Sequence, residues 1–133
     1  MGRPRAGIHG FLALFAIGWV LCVFPLAAQE SHKDFAAGIY AYQQKDFATA
    51  YKYLAPLAAK GHSSAQYNLG RMYANGQGVP RNLIEAYKWF FLSFKNGRKE
   101  GEQAMLSLAP LLKKEQISEA IERASNECCA LKR

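Results

Sequence analysis

An all-α chain is the fold class that three observations predict: a short solenoid of antiparallel helix hairpins with a C-terminal capping helix, preceded by an N-terminal signal segment. Over Ser63–Gly97, SSAQYNLGRMYANGQGVPRNLIEAYKWFFLSFKNG, two amphipathic runs flank a glycine-rich turn. A weaker copy of that unit precedes it. At an offset of 36, Ala50-Tyr51-Lys52-Tyr53 falls on Ala86-Tyr87-Lys88-Trp89, and Gly61 on Gly97. The second run of the better copy, Leu83–Phe94, is apolar on nearly every side, the pattern of a helix enclosed by its neighbours. Periods of roughly 20–50 residues mark stacked units that bury their faces only against one another.

Taken in chain order, residues 1–28 stand apart. Arg3 and Arg5 open the chain, Phe11–Phe24 is an apolar run of 14, and Pro25-Leu26-Ala27-Ala28 is a small-residue exit. That is the layout of a secretory signal peptide, shorter than the roughly 20 residues of a comfortable membrane span. Cleavage after Ala28 would leave Gln29 first, and retention as an uncleaved anchor is the alternative, the one case in which membrane contact is expected. The remainder, 29–133, is 105 residues, enough for one domain.

The first hairpin is expected over about 34–60. Gly38 pairs with Gly70 at an offset of 32, so its turn is four residues shorter than that of the second hairpin. The second hairpin is expected over 63–97. Ser63 with Gln66, and Asn82 with Glu85, have the N-cap plus three-residue spacing that satisfies open N–H groups at a helix start. Asn75-Gly76 supplies a left-handed stop, and Val79-Pro80 bars continuation. Ala65, Leu69, Met72 and Tyr73 recur at helical spacing as one apolar stripe. Gly70 inside that helix should cost roughly 1 kcal/mol against alanine. It makes sense if the second helix approaches closely, with Ala86 as the small residue opposite. A closing half-repeat and a cap are expected over about 99–131, the cap starting poorly because Lys113 and Lys114 stand at its opening.

The formal net charge is +7, and loss of Arg3 and Arg5 with the signal segment lowers it to +5. No Lys/Arg cluster is interleaved with aromatics in a nucleic-acid pattern. The balance fits either a solvated basic surface or attraction to an acidic partner. Cys22 leaves with the signal, which leaves Cys128 and Cys129 side by side. Adjacent Cα atoms, about 3.8 Å apart, fall below the usual disulfide range of roughly 4.4–6.8 Å. Either Cys128 joins the stripe of Ile117, Ile121 and Ala124 while Cys129 is exposed or frayed, or the pair forms an intermolecular disulfide or a rare vicinal one.

Reactive groups that could converge are few. His9 belongs to the signal segment, and neither His32 nor His62 has a partner at metal-ligand spacing. Ser63 reads as a cap, with no GxSxG elbow around it. Gly76-Gln77-Gly78 lacks the Gly-Lys-Ser/Thr and the preceding strand of a phosphate loop, and it lies at a helix C-terminus, where the dipole repels anions. The chain reads as non-catalytic, with no cofactor and no metal.

AQYNLGRMYANGQGVPRN followed by EAYKWF resembles the Sel-one-like repeat, a longer-looped relative of the tetratricopeptide repeat. Phe35–Lys60 is similar to a shorter unit of that kind, and LLKKEQISEAIERA to the terminal capping helix of bacterial members. The resemblance implies stacked hairpins whose first helices line a concave face. Transferring the pattern on Gly38 and Gly70 puts Phe35, Ile39 and Tyr42 there from the first unit, and Tyr67, Arg71 and Asn75 from the second. Glu100 and Gln103 follow from the third, where Leu106 replaces the anchoring glycine. Tyr67 and Arg71 lie one turn apart, a pair suited to an extended peptide carrying a carboxylate. The plainer alternative has Tyr67 packed between repeats and Arg71 on a solvated rim.

The resemblance implies an adaptor or scaffold for a protein or peptide partner, exported to the periplasm or secreted. An envelope-associated binder of peptidoglycan or acidic polysaccharide is the alternative, motivated by the basic balance and by Tyr40, Tyr42, Tyr51 and Tyr53. A building block that forms a homodimer is a third reading, since so few hairpins are near the minimum for an independent solenoid.

Overall fold

The computed structural model describes Gly2 and residues 26–130, with side chains from Glu30 to Glu127. Most of the expected signal segment, Cys22 included, and the side chains of Cys128 and Cys129 lie outside the described residues. Among the described residues six α-helices follow in order: α1 Leu26–Gln43, α2 Phe47–Ala59, α3 Ser63–Asn75, α4 Leu83–Lys95, α5 Glu100–Leu108 and α6 Lys114–Ala130. A single 3-10 turn, Ala109–Leu111, separates the last two, and no strand occurs among the described residues. Each of the first four helices packs on the next, while α6 crosses back to lie on α4. The fold is the all-α stack of hairpins that the repeat pattern predicts.

Local chemistry sets the helix ends. Asp46 caps α2, its Oδ1 accepting from the Thr49 N–H at 3.1 Å. At the same place in the next unit, 36 residues on, Asn82 Oδ1 accepts from the N–H groups of Ile84 and Glu85 at 3.0 and 3.1 Å. The cap of α3 differs from expectation. His62, not Ser63, occupies the N-cap, and its Nδ1 accepts from the Ala65 N–H at 3.2 Å. Two longer-range contacts impose this: the His62 N–H bonds the Leu57 carbonyl, and the imidazole stacks on Phe35 with ring centres 4.6 Å apart. Gln66 does not close a capping box. It is 2% exposed, donating to the Ala58 carbonyl at 3.0 Å and accepting from Asn96 Nδ2 at 2.9 Å. Glu85 likewise turns away from Asn82 toward Lys88 and Arg123. Gly76 takes the left-handed conformation that ends α3, at φ +69°. The opening of α6 is closed locally, because Gln116 Oε1 accepts from the Lys113 N–H at 2.9 Å.

The two hairpins close in the same way. A Cβ added at Gly38 would lie 2.9 Å from Leu54, and one at Gly70 would lie 2.7 Å from the Phe90 ring. The helices therefore meet at contact distances only glycine permits. The residue opposite Gly70 is Phe90, not Ala86. The third unit makes its close approach elsewhere: a Cβ at Gly101 would fall 2.6 Å from the Phe90 carbonyl. Leu106, at the position matching Gly70, is 67% exposed.

One core cluster joins α2, α3 and α4 through Leu54, Leu57, Leu69, Met72, Trp89 and Leu92, with Ala124 of α6 packed into it. A second joins α4 to α5 through Ala86, Phe90, Met105 and Leu108. Helix α4 is thus enclosed by α3, α5 and α6, as its all-round hydrophobicity predicts. Lys88 is the charged residue within this largely apolar centre. It is 5% exposed, whereas its repeat counterpart Lys52 is exposed, because α6 covers only the second unit.

Candidate functional site

Helices α3 and α5 flank an open groove of about 480 Å³. Helix α3 contributes Tyr67, Arg71, Ala74 and Asn75, and α5 contributes Glu100, Gln103, Ala104, Ser107 and Leu108. Phe90 of α4 forms the floor between them. The Gly70–Phe90 contact brings that ring up between the two first helices, so the repeat's glycine positions the site indirectly.

Five of the eight residues predicted to line the concave face border this groove: Tyr67, Arg71, Asn75, Glu100 and Gln103. Phe35, Ile39 and Tyr42 lie outside it. Phe35 stacks on His62, and Ile39 packs against the first core cluster. Tyr42 meets Phe47 edge-on at 5.4 Å and donates its hydroxyl proton to Gln77 Oε1 at 2.7 Å. These three are engaged in packing within the first unit and across to the α3–α4 turn.

Tyr67 and Arg71 do not act as the pair their spacing suggests. The Tyr67 ring leans on Phe90 at 5.5 Å, and the Arg98 guanidinium lies over it at 4.6 Å. Arg71 turns instead to Tyr42, its guanidinium carbon 5.3 Å from the ring centre. Arg98 was not among the predicted site residues, yet it covers a ring that lines the groove. Its Nη1 donates to Ser64 Oγ at 2.7 Å, and its buried Nε lies 3.6 Å from a Glu100 carboxylate oxygen, too far for a hydrogen bond. The repeat offset contains the missed signal. Arg98 follows His62 by 36 and Tyr67 follows Phe35 by 32, so the same stacking contact recurs in both units.

The other charged cluster joins α4 to α6. Lys88 Nζ lies 2.8 Å from Glu85 and 2.7 Å from Glu127, and 4.4 Å above the Trp89 ring. Arg123 bridges Glu85 at 2.7 Å and Glu119 at 2.6 Å. Burial acts to raise the Glu85 carboxyl, but hydrogen bonds and charge from Lys88 and Arg123 outweigh it and leave the group below its ordinary value. Nearby, burial and then the hydrogen bond with Tyr51 push the Tyr73 phenol up. Every charge in this cluster faces an opposite one, which is the arrangement of a clip between helices. Among the described residues no three His, Cys, Asp or Glu side chains converge as metal ligands. No described helix is long and apolar enough to cross a membrane.

The profile of the Sel1 repeat matches residues 36–62 and 63–97. The first span takes in the last part of α1 and all of α2, and the second takes in the α3–α4 hairpin. The chain is also 34% identical over 85 residues to a protein of Rhizobium leguminosarum bv. viciae described as an exopolysaccharide production negative regulator. That alignment covers 56% of this chain and 31% of the relative, so the chain spans about a third of the relative's length.

Proposed function

Because this chain belongs to the Sel1-repeat family, we propose that it is a non-catalytic adaptor that holds a partner protein in the α3–α5 groove. The observation that carries this reading is the groove itself, with an apolar floor at Phe90 and a polar rim from two successive units. Its helices are fixed by buried contacts, and α3 also by the His62 cap, so the surface is largely formed before a partner arrives, which lowers the ordering cost of binding. The relative's description as a regulator is in keeping with action through contact. A photo-crosslinker at Gln103 is expected to trap a discrete partner in cells, whereas one at Lys52, on α2, is not. Ala104→Trp, which fills the groove, should abolish the adduct while the helical circular-dichroism signal is kept. Equal adducts from both positions would refute the groove.

A second reading, retention on an acidic envelope polymer, is favoured by the net charge of +5 that remains after the first 28 residues are removed. Pelleting of the protein with cell-wall sacculi, reversed by added salt, would support it. Both readings place the protein outside the cytoplasm. Cleavage after Ala28 would trim the first turn of α1 and leave its packed part, Phe35–Tyr42, intact. The mass of the exported protein tests this, since a product that retains residues 1–28 contradicts cleavage.

A further inference from the structure

Resting on the groove reading above, we infer that its occupant is an extended peptide segment carrying an acidic side chain and, two residues away, an apolar one. Arg71 supplies the reason for the acid. It borders the groove and makes no ion pair among the described residues. Its contact with Tyr42 is through the ring face, which orients the guanidinium without using its N–H donors. Tyr42 is itself held by Phe47 and by its bond to Gln77, so the arginine rests on a fixed plate. A planar fork held this way suits a carboxylate bound through two parallel hydrogen bonds.

The remaining charges at the groove already face one another. Glu100 has Arg98 beside it, and Arg98 is further engaged by Ser64 and Tyr67. Specificity for charge therefore comes from the Arg71 end. The apolar requirement comes from the floor, where Phe90, Ala74, Ala104 and Leu108 present apolar surface to the groove. The spacing follows from helix geometry. Arg71 and Ala74 are neighbours three residues apart, with Cβ atoms about 5–6 Å apart. An extended strand places side chains on one face every second residue, about 6.6 Å apart. The two spacings agree to about 1 Å, which sets the pattern as acidic and apolar residues separated by one.

The test is a titration of the 15N-labelled chain, followed by amide shifts, with nonapeptides of glycine and serine. Each carries one leucine and, two positions before or after it, an aspartate, asparagine or lysine. The expected result is that an aspartate peptide shifts the Tyr67, Arg71 and Gln103 amides, with a dissociation constant about tenfold below that for asparagine, and that lysine gives no response. Arg71→Glu, checked for fold by circular dichroism, should reverse the preference toward lysine, and Ala104→Trp should block every peptide. Equal response to all three peptides overturns the acidic assignment but leaves the groove reading in place. Silence with every peptide also overturns it, and the groove reading then stands or falls on the crosslink at position 103.

Discussion

Gly70 shows how much a single missing methyl group decides. An alanine there would gain roughly 1 kcal/mol of helix propensity. Its Cβ, however, would sit 2.7 Å from the Phe90 ring, which is 4% exposed and has little room to retreat. Overpacking of this kind costs about 1–3 kcal/mol, so the clash wins. Gly70→Ala is expected to lower stability by about 1 kcal/mol in urea unfolding; a gain would mean that Phe90 moves freely. Lys45 is the opposite case. It lies in the α1–α2 turn at φ +63°, exposed and without the freedom of glycine. The left-handed conformation costs an ordinary residue about 1–2 kcal/mol, partly offset by the larger chain entropy of glycine when unfolded. Lys45→Gly should therefore stabilise the protein by about 0.5–1 kcal/mol, read as a raised Tm, and an unchanged Tm would contradict the strain.

At the scale of elements, the hold of α6 on α4 depends on charge. The Glu85 carboxyl lies below its reference value of 4.5 in the folded chain, because Lys88 and Arg123 outweigh the opposing effect of burial. The folded state thus binds fewer protons at this site than the unfolded chain. Its stabilising contribution is present above about pH 4.5 and is lost as pH falls through the lower, folded value. Urea midpoints at pH 7, 5, 4 and 3 should fall steeply in the acid range, and Glu85→Gln should flatten that fall while lowering the midpoint at pH 7. Asp46, whose carboxyl is lowered by its hydrogen bonds to Thr49, will keep some acid dependence in the variant. An unaltered pH profile would show that the pairs do not secure α6. This clip was not legible in the chain, although the helices it joins were. Asn82 could be recognised as a cap because its bonds reach only two and three residues on. The Lys88–Glu127 contact spans 39 residues and exists only because α6 folds back over α4. His62 was missed for the same reason, since Phe35 and Leu57 hold it where Ser63 has the better local propensity. The groove was half legible. Repeat spacing located the first helices, but the turn of Arg71 toward Tyr42 depends on the α1–α3 neighbour relation.

For the whole molecule, α4 is the member on which every other part leans, and its successive residues serve different neighbours. Phe90 faces the groove and α5, while Trp89, one position earlier and about 100° round the helix, belongs to the cluster that Ala124 of α6 enters. Among the described residues it is α6 that covers that second face, in the way a capping helix closes a solenoid. Ala120 and Ala124 are fully buried there, small enough to let the helix backbone approach and carry its charged rim onto Lys88 and Glu85. A chain ended after Leu112 would expose the Trp89 side of α4 and leave the Lys88–Glu85 pair without Glu127 and Arg123. Such a chain is expected to lose its sharp unfolding transition, to bind a dye specific for exposed apolar surface, and to lose peptide binding in the groove, although α6 contributes no residue to that site. Those three losses should occur together, because the floor of the groove and the seat of α6 are faces of one helix. If the shortened chain kept its transition and still bound, α4 would be held by α3 and α5 alone.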